Sequence, residues 1–199
     1  MIRWRFLAAA LAAAAIGLGA CDKLSPPRSP FTGIDVTGSP LGGALALTDQ
    51  EGRKRSLADF KGKAVVVVFG FTHCPDVCPT ALADMARAVR QLGEREQDVQ
   101  VLFVTLDPAR DSAELLKQYV PAFHPAFLGL RGSEAETTAV TKAFKVYSNQ
   151  RPGKTPETYT IDHSAQSFVF DRAGRLRLML PPNMASAAIA SDLRLILNS

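Results

Sequence analysis

Apolar residues along the chain fall into two kinds of run, which alternate from about Leu41 onward. Residues 64–71 (AVVVVFGF) and 99–106 (VQVLFVTL) are nearly continuous β-branched, aliphatic and aromatic stretches. Such runs are typical of strands buried on both faces, as in the centre of a parallel sheet. Residues 79–92 instead carry Ala, Leu, Met and Val at helical spacing, and Gly93 suits the end of that helix. The pattern therefore predicts a strand, a helix and a second, parallel strand.

The rest of the chain continues this alternation and ends in two strands and a helix. Further helices are predicted at 112–120, 133–144 and 185–197, and further strands at 126–130, 167–170 and 176–180. Residues 44–48 and 53–57 predict an earlier hairpin, and the polar segment 151–159 a loop. A βαβ unit followed by ββα is the plan of a thioredoxin-like fold. We therefore expect one α/β domain over residues 41–199, thioredoxin-like with an N-terminal β-hairpin extension.

The first forty residues have a different character. Two arginines precede an alanine-rich apolar stretch at 6–18, which is short for a membrane-spanning helix of about 20 residues. Leu18-Gly19-Ala20-Cys21 resembles the lipobox at which bacterial lipoproteins are cleaved and lipidated. We predict a lipoprotein signal peptide at 1–20, a lipid on Cys21, and a flexible Pro/Ser/Gly-rich linker at 21–40.

The lipobox also predicts where the protein resides. Asp22 resembles the signal that keeps enteric lipoproteins on the inner membrane, so we expect the domain to face the periplasm from that membrane. An uncleaved anchor helix is the alternative, and it too would place the domain outside the cytoplasm. Cys21→Ala is expected to block lipidation.

Composition and charge exclude one class of function. Apolar residues make up 47% of the chain, enough for a packed core. The formal charge is +4, and without Arg3 and Arg5 it is +2, from 21 basic and 19 acidic residues. A charge this small, with no long run of one sign, does not indicate nucleic-acid binding.

Two cysteines remain once Cys21 carries a lipid. Cys74 and Cys78 are separated by three residues, in the segment that joins strand 64–71 to helix 79–92. A disulfide over so short a span would constrain the chain little, so the pair is expected to do chemistry. In open α/β sheets, ligands bind beyond the carboxyl ends of the strands, which is where this segment is predicted to lie. The N-terminus of the following helix should favour the thiolate form of the cysteines.

A cysteine pair serves either redox or metal chemistry, and His163 favours the metal. In thioredoxin-like enzymes the loop before the later strand faces the cysteines and normally carries a cis-proline. Here no proline occurs from Glu157 to Leu180, and His163 lies close to that position. Two thiolates and an imidazole form a soft ligand set suited to copper(I).

Three segments together resemble the signatures of the Sco (SenC) family: residues 72–79 (THCPDVCP), 107–111 (DPARD) and 162–164 (DHS). The resemblance runs from about Leu41 to the C-terminus. It implies a membrane-tethered copper protein that holds Cu(I) or Cu(II) through Cys74, Cys78 and His163. It also implies a role in assembling the dinuclear copper centre of cytochrome c oxidase. The copper-bearing oxidase subunit and other periplasmic copper carriers would be its partners.

Three other functions compete with a copper metallochaperone. A thiol–disulfide reductase would use Cys74 and Cys78 as a redox pair that acts on cysteines of an oxidase subunit, and the two activities are compatible. A peroxidase-like protein would leave one cysteine and His163 without a role. A structural zinc site would need a fourth protein ligand. We expect a copper carrier rather than a turnover enzyme.

Several other residues are predicted to be structural. His73 is expected to be a partly exposed neighbour of Cys74, and His124 a loop residue. Asp107 could tune the site, but pairing of Arg110 with an acid is favoured, with Asp111 or Ser112 capping the next helix. The remaining predictions are an orienting role for Asp162 beside His163, core positions for Met179 and Met184, and a loop at 151–159 that becomes ordered when metal binds.

Overall fold

A computed structural model describes residues 29–43, 45–155 and 158–199. The predicted signal peptide, Cys21 and the first part of the predicted linker lie outside these ranges. Within them, no helix combines the length and the apolar character needed to cross a bilayer. One compact unit extends from Phe31 to Ser199.

Ten strands are assigned in the described ranges, and eight of them form one sheet in the order β1-β10-β9-β4-β5-β6-β2-β3. The strands are β1 (Ile34–Asp35), β2 (Ala46–Asp49), β3 (Lys54–Ser56), β4 (Ala64–Gly70), β5 (Val99–Thr105), β6 (Leu128–Arg131), β7 (Ser148–Arg151), β8 (Thr160–His163), β9 (Ser167–Phe170) and β10 (Leu176–Leu180). Strand β4 runs parallel to β5 and antiparallel to β9. Every residue of β4 and β5 is buried, as their continuous apolar runs predicted.

Within the described residues, four α-helices cover the sheet: α1 (Val77–Arg90), α2 (Ala113–Tyr119), α3 (Glu134–Phe144) and α4 (Ser186–Leu197). Side chains of α1, α2 and α4 pack in one apolar cluster with alternate residues of β4. Side chains of α3 pack in a second cluster with the other residues of β4. The alternation of β4 side chains therefore places helices on both faces of the sheet.

This arrangement confirms the predicted α/β, thioredoxin-like fold. Strands β4, β5, β9 and β10 with helices α1 and α4 supply its βαβ and ββα parts. The predicted early hairpin is also present, since β2 pairs antiparallel with β3 and joins the main sheet at β6. The predicted cap of α3 is present too, because Ser133 and Glu136 form a capping box.

Three segments differ from the prediction. The end of the predicted 21–40 linker packs on the domain, because β1 pairs with β10 and the backbone N–H groups of Thr32 and Gly33 donate to Asp192 on α4. A 3-10 helix at Gly93–Asp98 follows α1. The hairpin of β7 and β8, which pair antiparallel as a separate two-stranded sheet, was not predicted; the described residues between the two strands, 152–155 and 158–159, form neither helix nor strand, in keeping with the predicted loop.

Candidate metal centre

The cysteine segment turns sharply between β4 and α1. The Cys74 N–H donates to the carbonyl of Phe71 at 3.2 Å, which closes the turn after the strand. Helix α1 begins at Val77, two residues earlier than predicted, so Cys78 lies in its first turn. The Cys78 N–H then donates to Cys74 Sγ at 3.4 Å. Both cysteines are free thiols; Cys74 is partly exposed and Cys78 is buried.

Gly70, the last residue of β4, makes room for the Cys78 sulfur. A Cβ atom at this position would lie 3.0 Å from Cys78 Sγ and 2.8 Å from the Phe103 ring. The contact with the ring is too short to form without displacement, and the contact with the sulfur is tighter than almost all real ones, so glycine lets the sulfur approach the end of the strand. A glycine within an otherwise bulky strand is a sequence signal of close approach, and it was not used in the prediction of the site.

His163 ends strand β8 and points its ring at Cys78. Its Nε2 atom lies 3.6 Å from Cys78 Sγ, and its ring meets Phe71 edge-on. Its Nδ1 atom lies 2.8 Å from the carbonyl of Ser164. A carbonyl only accepts hydrogen bonds, so Nδ1 must carry the proton and Nε2 keeps its lone pair in the neutral ring. The free lone pair therefore faces the sulfur, which is the orientation that a metal ligand requires.

The electrostatics of Cys78 differ from the prediction. The helix N-terminus was expected to favour a thiolate, but burial raises the pKa of the Cys78 thiol, and the neighbouring Cys74 adds to this effect. The hydrogen bond involving the Phe71 backbone acts in the opposite direction and is outweighed. Without metal, Cys78 is therefore a thiol, and a metal ion would have to displace its proton.

The donor set fits a soft metal ion. Two ligands of one first-row ion, with bonds of about 2.3 Å to sulfur and 2.0 Å to nitrogen, lie about 3.5–3.8 Å apart. The 3.6 Å between Cys78 and His163 falls in this range, as would a hydrogen bond between thiol and imidazole. Across the described residues, no group of three His, Cys, Asp or Glu side chains is already gathered to hold a metal. The structure thus brings two of the predicted ligands together, with Cys74 beside them.

Asp111 supports the cysteine segment and is not a helix cap. Its fully buried carboxylate accepts hydrogen bonds from the Thr72 N–H at 3.0 Å, the Thr72 hydroxyl at 2.6 Å and the Thr105 hydroxyl at 2.5 Å. The cap of α2 is Ser112, whose side chain accepts from Leu115 N. Asp111 therefore ties the residues before Cys74 to the end of β5.

The other acidic residues near the site have distinct partners. Asp107 is buried and pairs with Arg110, as the favoured prediction had it. Asp162 does not orient His163: it is half exposed and pairs with Arg151 at 2.6 Å, while the Ser164 carbonyl takes the orienting position. Successive residues of a strand point to opposite faces, which explains why Asp162 and His163 diverge.

The remaining candidates are structural. The His73 side chain is 47% exposed and approaches Asp111 at 3.7 Å. His124 is buried in a loop and stacks on Phe127. Met179 and Met184 pack against different apolar clusters, so they do not form a common methionine site.

Paired thiols and an imidazole at the carboxyl edge of β4 define a thioredoxin-like protein in which a histidine faces the cysteines. The SCO1/SenC family model matches residues 35–198, and the chain belongs to this family. The SCO2-like protein of Rickettsia prowazekii is 37% identical over 167 residues, which are 80% of this chain and 82% of the relative.

Several solved structures of relatives contain copper. The copper-bound ScoI of Bradyrhizobium japonicum is 36% identical, with a TM-score of 0.73, and the match covers 78% of this chain and 99% of ScoI. Copper-bound yeast Sco1 is 32% identical, with a TM-score of 0.74, over 81% of this chain and 90% of the yeast chain.

Proposed function

We propose that this protein is a copper metallochaperone that binds one copper ion through Cys74, Cys78 and His163. Other periplasmic copper carriers would supply the copper ion. The protein would then pass the ion to the oxidase subunit that holds the dinuclear copper centre of cytochrome c oxidase. Membership of the SCO1/SenC family and the copper in solved relatives support the choice of metal.

The geometry of His163 carries the proposal. Its Nε2 lone pair faces Cys78 at 3.6 Å because Nδ1 is held by the Ser164 carbonyl. A metal site needs such an imidazole, whereas exchange of two thiols for a disulfide does not. Two thiolates favour Cu(I), and the added nitrogen makes the set better suited to Cu(II).

A thiol–disulfide reductase is the second candidate, and the free cysteines favour it. Cys74 and Cys78 are adjacent and not joined by a disulfide, with Cys74 Sγ 3.4 Å from the Cys78 backbone nitrogen. Oxidation of the pair would pass two electrons and two protons to a partner disulfide, which would become two thiols. The same oxidation would release copper, so the two activities could alternate.

His163→Ala separates the two functions. We expect the variant to keep a reversible Cys74–Cys78 disulfide, to lose most Cu(II) binding and to lose less Cu(I) binding. Cys74→Ser and Cys78→Ser should each remove both activities. His73→Ala is the matched control, because this half-exposed histidine adjoins Cys74 and should leave both activities intact.

Oxidase activity at low copper gives the result in cells. A strain that carries only the His163→Ala protein, at normal abundance, should assemble oxidase about as poorly as the cysteine variants. Full oxidase activity in that strain would make the dithiol the working part and the reductase the better assignment.

We further propose that a lipid on Cys21 holds the domain at the periplasmic face of the inner membrane. The lipobox at 18–21 and the following Asp22 support this anchor. Metabolic labelling with a fatty acid should mark the unsubstituted protein and not the Cys21→Ala variant. Label that still enters the variant would contradict the proposal.

A further inference from the structure

The hairpin that carries His163 is not part of the main sheet. Strands β7 and β8 pair only with each other among the described strands, with Ser148 opposite His163. A two-stranded hairpin alone is marginally stable in water. The distance between His163 and Cys78 therefore depends on the side chains that fasten the hairpin to the rest of the domain.

Tyr159, the residue before β8, makes three contacts with the segment that follows β5. Its hydroxyl donates to Asp107 Oδ1 at 2.7 Å, and its carbonyl accepts from Arg110 Nη1 at 2.8 Å. The Arg110 guanidinium lies 3.5 Å from the centre of the tyrosine ring. Two of these contacts are charge-assisted hydrogen bonds and the third is a cation–π contact.

The acceptor and the cation are themselves fixed. Asp107 is 3% exposed, and its other carboxylate oxygen accepts from Arg110 Nε at 2.5 Å. Burial, together with the hydrogen bond to Asp107, raises the pKa of Tyr159, so its hydroxyl keeps the proton that it donates. Tyr159 is thus held by a buried ion pair and not by a mobile surface side chain.

The segment that follows β5 also contacts the residues that precede the cysteines. The Asp107 N–H donates to the Thr105 hydroxyl at 2.9 Å, and that hydroxyl donates to Asp111, which holds Thr72. Residues 105–111 therefore contact the cysteine turn through Asp111 and the histidine hairpin through Asp107. This shared support sets the two halves of the site relative to each other.

We propose that Tyr159 is a positioning residue that holds His163 against Cys78 through its contacts with Asp107 and Arg110. The position of His163 is a property of the apo protein; its consequence for copper rests on the proposed function. Loss of the tyrosine hydroxyl should loosen the start of β8 and let the imidazole leave the sulfur, while both cysteines stay in place.

Tyr159→Phe is the test variant, because it keeps the ring under Arg110 and removes only the hydroxyl. Tyr147→Phe is the matched control: it removes the same atom from a 58% exposed tyrosine next to β7. Arg110→Lys is a second variant, in which the planar stacking and the forked donor are lost. All are made in the full chain.

Two readouts on the apo protein test the position of His163. Amide exchange over Thr160–His163 should become about tenfold faster in Tyr159→Phe, as expected for a lost hydrogen bond to a charged acceptor. The imidazole 15N shifts should move from the single Nδ1-protonated tautomer towards an average of both tautomers. Tyr147→Phe should change neither readout.

The copper-loaded protein provides a third readout. In Tyr159→Phe the Cu(II) affinity should fall about tenfold, and nitrogen hyperfine coupling should weaken in the EPR spectrum. The thiolate-to-copper charge-transfer band should remain. His163→Ala gives the reference spectrum without imidazole.

Unchanged exchange and unchanged imidazole shifts in both Tyr159→Phe and Arg110→Lys would overturn the proposal. Faster exchange with unchanged imidazole shifts would also overturn it, because Tyr159 would then stabilise the hairpin without positioning His163. If the unsubstituted protein fails to bind copper, the proposed function fails instead, and the apo readouts still decide the role of Tyr159.

Discussion

Gly70→Ala should damage the proposed metal centre while leaving all three proposed ligands in the sequence. The added methyl group would lie 2.8 Å from the Phe103 ring and 3.0 Å from Cys78 Sγ. Ordinary contacts between such atoms are about 3.5–4.0 Å, so the ring must shift and the sulfur must give way by a few tenths of an ångström. Metal–ligand distances in a well-formed site lie within about 0.2 Å of their ordinary values, so such a shift of the sulfur would strain a bond to the metal.

The effect on stability is smaller than the effect on the site. Overpacking a core position costs about 1–3 kcal/mol. Replacing glycine within a strand gains about 0.5–1 kcal/mol, because the unfolded chain loses freedom. We therefore expect the apo protein to lose about 0.5–2 kcal/mol of unfolding free energy and to remain folded.

Denaturant unfolding of the apo protein and chelator competition for Cu(I) measure the two effects separately. The Cu(I) affinity of Gly70→Ala should fall by at least about tenfold, an order of magnitude for a strained ligand. Gly43→Ala is the control, because a Cβ there meets no heavy atom of the described residues within 4 Å. Wild-type copper affinity in Gly70→Ala would refute the view that Gly70 sets the position of the sulfur.

Two further predictions concern the rest of the domain. Burial raises the pKa of the Cys78 thiol above its ordinary value of 9.0. As the pH rises, the unfolded protein therefore loses this proton at a lower pH than the folded protein does. The unfolding free energy of the reduced apo protein should fall as the pH rises above about 9. The fall between about pH 9 and 10 should become shallower in Cys78→Ala. Tyr159, whose pKa is also raised, adds a fall of its own only above about pH 10, so an unchanged fall between about pH 9 and 10 in Cys78→Ala would contradict the assignment. Asp192→Asn should lower the unfolding free energy, measured with denaturant, by about 1–3 kcal/mol. The two carboxylate oxygens accept hydrogen bonds from the Thr32 and Gly33 N–H groups, and an amide would turn a donor towards one of them. An unchanged unfolding free energy would contradict this role.

The sheet and its helices were predictable because their signals are local. Continuous apolar runs at β4 and β5, helical spacing in α1 and the serine cap of α3 each follow from neighbouring residues. Helix α1 begins at Val77, whereas the predicted start was Pro79, two residues later. Proline suits the first turn of a helix as well as its first residue, so Pro79 does not fix where the helix begins.

The parts that could not be predicted depend on contacts between distant residues. Strand β7 is polar and exposed throughout and pairs only with β8 in the described chain, so no apolar pattern marks it. The β1 strand follows a linker-like composition and is fixed by β10 and by Asp192, more than 140 residues away in the sequence.

In the candidate site, too, some features were predictable from the sequence and others depend on tertiary contacts. Cys74, Cys78 and His163 were identified as candidates from motif and family resemblance, and the structure brings His163 to Cys78. The roles of Tyr159 and Ser164 depend on tertiary contacts that no spacing encodes. The high pKa of the Cys78 thiol was missed because burial outweighs the helix N-terminus, and the degree of burial is not visible in a motif.

X-ray absorption at the copper edge of the purified, copper-loaded full chain tests the proposed site most directly. We expect one copper ion per chain, bound by two sulfur atoms at about 2.2–2.3 Å and one imidazole nitrogen at about 2.0 Å. The nitrogen contribution should disappear in His163→Ala and persist in His73→Ala. A spectrum without imidazole in the unsubstituted protein, or one that His163→Ala leaves unchanged, would contradict the assignment of Cys74, Cys78 and His163 as the copper ligands.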